Sequence, residues 1–434
     1  MDLSLGLDFG TTNTVLARPS DHGGAVPLAF EHGDEVVSAL RSVLCFWSDE
    51  SVLKSPVEVE AGPWAIDHFI ENPGDCRFIQ SLKSFSASPL FGETRIYGKR
   101  FTFEDLLATF LRLLRAHAGS QMKSLPKRLV VGRPVQFAGS NPDPQLAVQR
   151  YRAAFAKFGV EDVRFVYEPV AAAFYFAQRL KESATVLVAD FGGGTSDFSI
   201  MRFEADGTAL HSKALAWSGV GVAGDTFDFH IIDKLISPEL GKGSRYKSMS
   251  NELMLPNRFY TSFARWSEMS ILKTSRDFRD LKRLQASCLE PERLQNFIDL
   301  VEQDLGYALY KAVSEAKARL SGQEQTPFEF VTDSIDLKFT LKRSDFETWI
   351  AADLRKMSGA VDQALQQAGL GAADIDRVFL TGGTSFVPAV RRMFEERFGA
   401  ERIETGDELI SIAHGLALIG ARDDIDRWCA ADSE

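Results

Sequence analysis

Cysteine is scarce in this chain. Four residues in 434 (Cys45, Cys76, Cys288 and Cys429) lie far apart, and no two form a Cys-x-x-Cys pair. That argues against a disulfide scaffold and predicts reduced, partly buried thiols in a cytosolic protein. No apolar run reaches the ~18 residues needed to cross a membrane as a helix, so a soluble protein is predicted. The N-terminal residues carry no basic segment followed by a cleavage site, so no secretory leader is expected. Positive charge is also short: 49 Lys and Arg stand against 60 Asp and Glu, a formal net charge of −11. Nucleic acid and anionic membranes are thereby disfavoured as main partners. Any polyphosphate bound here must be held by local N–H groups, a metal and a few selected cations.

Against these absences stands a repeated turn. Asp8-Phe9-Gly10-Thr11-Thr12-Asn13 recurs, altered, as Asp190-Phe191-Gly192-Gly193-Gly194-Thr195-Ser196-Asp197, and each copy follows a short apolar run. Two equivalent strand–turn–strand units far apart predict an internally duplicated fold with two like lobes face to face. Each unit has the parts of a phosphate cradle. Glycines let N–H groups approach an anion, the threonines add hydroxyl donors, and the aspartate at each strand end can hold a hydrated divalent cation. A chain of this length accommodates two or three domains with substantial cores.

The pattern along the chain is mixed α/β. Leu106, Leu107, Phe110, Leu113 and Leu114 recur at helical spacing, and a strand over 129–135 is stopped at Pro134. A second helix is predicted over 145–158 and a strand over 163–167. Glu168-Pro169-Val170-Ala171-Ala172 then opens a helix, with Pro169 suited to its first turn. Residues 237–320 differ: they are rich in charge and helix formers, lack glycine from 244 to 305, and read as a mostly helical insertion. A hairpin over 328–341, a helix over 345–368 and a strand at 378–380 ending in Thr381-Gly382-Gly383-Thr384 complete the pattern.

One glycine turn alone is weak, but five motifs in order are not. They are Asp8–Thr14, Glu168–Ala172, Asp190–Asp197, Gly221-Val222-Ala223-Gly224-Asp225 and Leu380–Thr384. This set resembles the ATPase domain of DnaK-type heat-shock chaperones, in the actin, sugar kinase and chaperone superfamily, and looks most like its short YegD-like branch. The resemblance implies a duplicated actin-like (ribonuclease H-like) α/β fold with two lobes around a nucleotide cleft. Lobe I would span 1–181 with 408–434, with 36–100 as its smaller subdomain. Lobe II would span 182–407, with 225–348 as its helical insertion. It also implies ATP or ADP with Mg²⁺, K⁺ as an optional second cation, and a cytoplasmic monomer working with a protein partner or a nucleotide-exchange factor.

Site residues follow from the same resemblance. Asp8 and Asp190 would hold the water shell of Mg²⁺. Gly10, Thr11, Thr12, Asn13, Gly192, Gly193, Gly194 and Thr195 would contact phosphates, with Thr195 also in the catalytic set. Glu168 and Asp197 would orient or deprotonate the attacking water, and Lys83 would offset charge on the transferring phosphoryl group. The alternatives are a solvated Lys83, a Glu168 that serves the helix dipole, and a turn aspartate at 197. Gly224, Gly382, Gly383 and Thr384 would also bind the nucleotide, and Lys317, Ser321 and Phe386 would line its nucleoside side, with Asp407 near the ribose. The two arginines that stack on the base in this family are replaced by Ala318 and Phe386. Phe386 either stacks instead or is core, and Arg319 is a candidate to reach over. A peptide-binding domain is not expected. The readings in competition are an ATPase switch, a small-molecule kinase, an actin-like filament subunit and a nucleotide sensor with little turnover.

Overall fold

A computed structural model describes residues 4–20, 23–48, 56–72, 75–137, 141–180, 182–206, 209–265, 272–273, 275–405 and 410–430. The strand Ser4–Phe9 buries Leu5, Leu7 and Phe9. It turns back through Asn13–Pro19 and on to Ala25–Pro27, and on its other side pairs in parallel with Arg128–Arg133, which pairs in parallel with Asp162–Tyr167. The second sheet repeats this plan. Ala184–Phe191 turns back through Ser196–Asp206 to Ala209–Val220, then pairs in parallel with Arg377–Thr381, which is followed by Ile403–Thr405. Both sheets thus have the order 3-2-1-4-5 when numbered along their own segment. This is the duplicated, two-lobed α/β architecture that the repeated turn predicts.

The lobes exchange helices. Glu168–Ala177 leaves the first sheet yet packs on Ala184–Phe191 and Ser196–Asp206 of the second. Ser411–Gly420 leaves the second sheet yet packs on Ser4–Phe9, Asn13–Pro19 and Arg128–Arg133 of the first. The two helices cross each other with Gly415 against the backbone of Ala171, while Ala413 and Ala417 turn to the first sheet beside Gly6, Val15 and Ala17. A Cβ on Gly415 would fall 1.7 Å from the carbonyl oxygen of Ala171, and one on Gly6 would fall 2.5 Å from Ala413 O. Around the crossing, Val130, Val166, Val186, Val188 and the stacked pair Phe176–Phe379 form one apolar core shared by both lobes.

Several expected elements are present nearly as written. The hairpin over 328–341 is Gln325–Val331 with Asp336–Lys342, and the long helix is Arg343–Ala368. Among its helices the insertion also holds a small hairpin, Arg245–Ser248 with Asn251–Met254. Its Met249 takes φ 54° at the turn, whose two central residues, Met249 and Ser250, are neither Gly nor Asn. The expected lobe boundaries at 181 and 407 fall on residues outside those described, as does Asp407.

Because backbone, and not a movable side chain, faces Gly415, the crossing cannot accept a methyl group without parting the helices. Gly415→Ala is expected to cost about 3 kcal/mol or more in urea denaturation. A midpoint equal to wild type would show that the contact is not a constraint.

Candidate active site

The two repeated turns have the same build. In the first, Gly10 N donates to Asn13 O at 2.9 Å; in the second, Gly192 N donates to Thr195 O at 2.9 Å. A Cβ on Gly10 would lie 2.3 Å from Asn13 O, so the first turn closes only with glycine. The turns also meet each other across the cleft, since a Cβ on Gly193 would stand 2.6 Å from Thr12 Oγ1. The copies differ at one informative place. Asp8 pairs across its hairpin with Val15, whereas Asp190 pairs with Asp197.

Two further lobe II elements lock onto the second turn. Asp225 N, at the start of helix Gly224–Ile231, donates to Gly193 O at 2.8 Å. Gly382 has φ 84°, and a Cβ there would sit 2.1 Å from Phe191 O. Lys317, on helix Gly306–Leu320, ties to the same cluster through Asp228 at 2.9 Å and Gly224 O at 3.2 Å. Together these elements enclose a cavity of about 600 Å³ between the lobes. Its lining includes Asp8, Gly10, Thr11, Thr12, Asn13, Lys83, Glu168, Asp190, Gly192, Gly193, Gly194, Thr195, Lys317, Ser321, Gly382, Gly383, Thr384 and Phe386. Asp197 and Gly224 are not part of that lining. Asp197 is fully buried, and its Oδ1 accepts from the backbone N–H of Val135 at 2.7 Å and of Gln136 at 3.3 Å. It therefore ties the second lobe to the first, while its Oδ2 is buried without a hydrogen-bond partner.

At the floor of the cavity, Lys83 Nζ donates to Glu168 Oε1 at 2.5 Å, with both side chains at most 10% exposed. Lys83 is thus not a solvated surface lysine. Burial opposes its charge, but Glu168 and, less strongly, Tyr151 and Asp8 hold it protonated above its ordinary range. Burial, then Glu168, raises Asp8 to about 7, against the pull of Lys83. Burial and the neighbouring Glu168, Asp8 and Asp197 push Asp190 well above the carboxylate range. Asp197 rises to about 7 from burial and Glu168, opposed by Thr195 and by its two backbone donors. Glu168, Asp8 and Asp190 therefore share the field of one ammonium group, with Asp197 behind them. Such a set is costly without a further cation, and a divalent metal placed by Asp8 and Asp190 would relieve it. Among the described residues no group of three or more His, Cys, Asp or Glu side chains is placed to hold a metal ion by direct ligation. The donor set fits an ion that keeps most of its waters, as Mg²⁺ does.

At the opposite end one open alternative is decided and one expectation fails. Phe386 is 54% exposed at the cavity wall, so it is not core. Arg319 does not reach over; it donates to Thr326 Oγ1 at 2.8 Å and Pro327 O at 3.0 Å on the adjoining hairpin. Several lining residues escaped the sequence: Arg41, Asp228, Tyr307, Tyr310, Lys311 and Ser314. Five of the relevant side chains (Tyr307, Tyr310, Ser314, Lys317 and Ser321) follow helical spacing, so the stripe was readable once its helix was assigned. Arg41 carries no such signal. Strand pairing sets it beside Asn13, and its charge acts on Asp225, Asp228 and Tyr307.

Duplicated sheets, crossed helices and two phosphate-type turns facing one cavity define a two-lobed nucleotide-binding protein of the actin-like ATPase class. A family model described as Hsp70 protein matches residues 85–261 and 283–422, well over half of the chain. The chain belongs to the Hsp70 family, whose members are nucleotide-binding, chaperone-type ATPases. The match opens two residues after Lys83, so the first turn is placed by the duplication and not by the matched segments.

Asp225 offers a test of the electrostatics away from the metal ligands. Burial and Asp228 raise it to about 6, against Lys317 and Arg41. A carboxyl whose folded value is raised stabilises the fold below its unfolded value near 4 and loses that advantage as pH rises through about 6. Asp225→Asn should therefore melt several degrees above wild type at pH 8 and converge with it at pH 4. Parallel melting curves across that range would refute the assignment.

Proposed function

We propose that this chain hydrolyses ATP slowly in the interlobe cavity and uses lobe closure on the nucleotide as a switch for a protein partner. The observation that carries the reading is the buried Lys83–Glu168 pair at the floor of a cavity whose two phosphate-type turns touch across the lobes. Because Gly10 N and Gly192 N close the turns, the backbone N–H groups left for the phosphates are those of Thr11 and Thr12 on one side and Gly193 and Gly194 on the other, and Thr11, Thr12 and Thr195 add hydroxyl donors. Mg²⁺, held through water by Asp8 and Asp190, supplies positive charge to the phosphate chain when bound. Lys83 lies where charge builds on the transferring phosphoryl group. Glu168, with one oxygen engaged by Lys83, orients a water with the other for attack on phosphorus. As the new P–O bond forms, the bond to ADP breaks and the water proton passes to a carboxylate of this cluster. Asp197 stands behind this cluster, outside the cavity lining, and supports it by tying the second turn to the backbone of Val135 and Gln136.

The switch reading rests on the crossed helices. Each is rooted in one lobe and packed on the other, so a ligand that draws the turns together also moves both helices. Placement in the short YegD-like branch, a cytoplasmic location and a monomeric state complete the proposal. Among the described residues no helix is long and apolar enough to cross a membrane. Lys317 and Ser321 would face the ribose and base, with Phe386 offering the ring on which a base stacks.

Phosphate release from ATP is the decisive measurement. Wild type with Mg²⁺ should turn over, chelation of the metal should stop it, and Lys83→Ala and Asp197→Asn should each lower kcat by about 100-fold or more. Tight nucleotide binding without turnover would replace the ATPase by a sensor. Turnover untouched by both substitutions would move hydrolysis out of this site.

A further inference from the structure

Lys83 stands on a weak piece of structure. Its turn, Leu82–Phe85, is four residues long, too short to be stable by itself. The residue before it, Ser81, is buried and held at φ 53°, a left-handed conformation that costs a serine energy. Such a turn keeps one geometry only if its surroundings impose it. Chief among those surroundings is one buried cation. Arg150, on helix Pro144–Phe158, donates from Nη1 to the carbonyls of Phe85 at 2.9 Å, Ser86 at 3.0 Å and Ser88 at 3.0 Å, and from Nη2 to that of Phe91. The nearest carboxylate, Glu104, is 4.0 Å away, so carbonyls and not an acid satisfy the guanidinium. The same helix adds two lesser ties: Asp143 N donates to Ala87 O at 2.8 Å, and the neighbouring Tyr151 side chain hydrogen-bonds Ser86. Ser86 Oγ in turn donates to Lys83 O at 2.7 Å.

We propose that Arg150 is the positioning residue for Lys83, gathering the carbonyls of residues 85–91 with one planar fork and so fixing the lysine against Glu168. The proposal rests on the reading of Lys83 and Glu168 as the hydrolytic pair. A guanidinium suits the task because its donors lie in a rigid plane and it stays charged when buried, whereas an ammonium is a compact point charge with three donors. The catalytic consequence follows from distance. Lys83 meets Glu168 at 2.5 Å, and a shift of about 1 Å in a catalytic group can cost about 100-fold in rate.

The test compares wild type, Arg150→Met and Arg150→Lys, with Lys83→Met as reference, and reads Lys83 itself before any activity. Acetic anhydride labelling followed by mass spectrometry should acylate Lys83 several-fold faster in Arg150→Met, with exposed Lys157 unchanged. Amide hydrogen exchange over 82–91 should accelerate at the same time. In steady state, kcat should fall about 10- to 100-fold with KM for ATP unchanged, and millimolar guanidinium should restore part of it. Arg150→Met should cost nothing further in a Lys83→Met background. If Arg150→Met does not fold, Arg150→Lys, which keeps the charge and loses the fork, should show the same changes in smaller degree. Unchanged Lys83 labelling and loop exchange would overturn the proposal whether or not the chain hydrolyses ATP. Faster labelling with a wild-type kcat would also overturn it, as would an equal loss in the Lys83→Met background. A wild type that never turns over sinks the ATPase reading alone, and the labelling result still decides Arg150.

Discussion

Two backbones touch where helix Glu168–Ala177 crosses helix Ser411–Gly420, and the rest of the molecule is arranged around that contact. With no side chain at Gly415, the helices approach to backbone distance. Each can then reach over to the opposite lobe and bury its outer face there. Glu168 is the first residue of one of these helices, so the crossing also sets how deep its carboxylate sits in the cleft. Packing and chemistry share one constraint here. A side chain at Gly415 would disturb both together.

Burial at the cleft floor does the electrostatic work. Asp8, Asp190 and Asp197 all have raised proton affinities, because burial penalises their charge and Glu168 repels it. Lys83 is held charged by the same crowd. A site so short of positive charge favours a ligand that arrives with cations and disfavours a bare anion. The overall negative charge of the chain leads to the same point. Polyphosphate recognition depends on backbone donors, a metal and a few placed cations, not on a basic surface.

Much of the fold was legible because the duplication left its mark twice. The turns at Asp8–Asn13 and Asp190–Thr195 share a length, a closing hydrogen bond and an aspartate at the same strand end, and each announces a strand before and after it. Helix Glu168–Ala177 was legible from Pro169 and its alanines. The Met249 hairpin was not, since the two central residues of its turn, Met249 and Ser250, are neither glycine nor asparagine. In the cleft, glycines, carboxylates and the Lys317 stripe were readable by motif and spacing. Arg41 and Asp228 were not, because nothing local sets apart a charged side chain that faces a cavity from one that faces solvent. Phe386 was undecided for the same reason, until its place at the cavity wall showed a half-exposed ring.

By itself the sequence determined the class of fold, the two turns and the residue types that can meet a phosphate, because hydrogen-bond closure and strand alternation act over a few residues. Tertiary structure alone decided which charges share the cleft floor, that Asp197 is clamped by Val135 and Gln136 of the other lobe, and that Arg150 holds the loop of Lys83. Those contacts join residues 61 to 85 positions apart in the case of Asp197 and Lys83 with Glu168, and 59 to 65 in the case of Arg150. Their energy comes from burial and dielectric, which belong to the packed molecule and have no counterpart in a local stretch of chain.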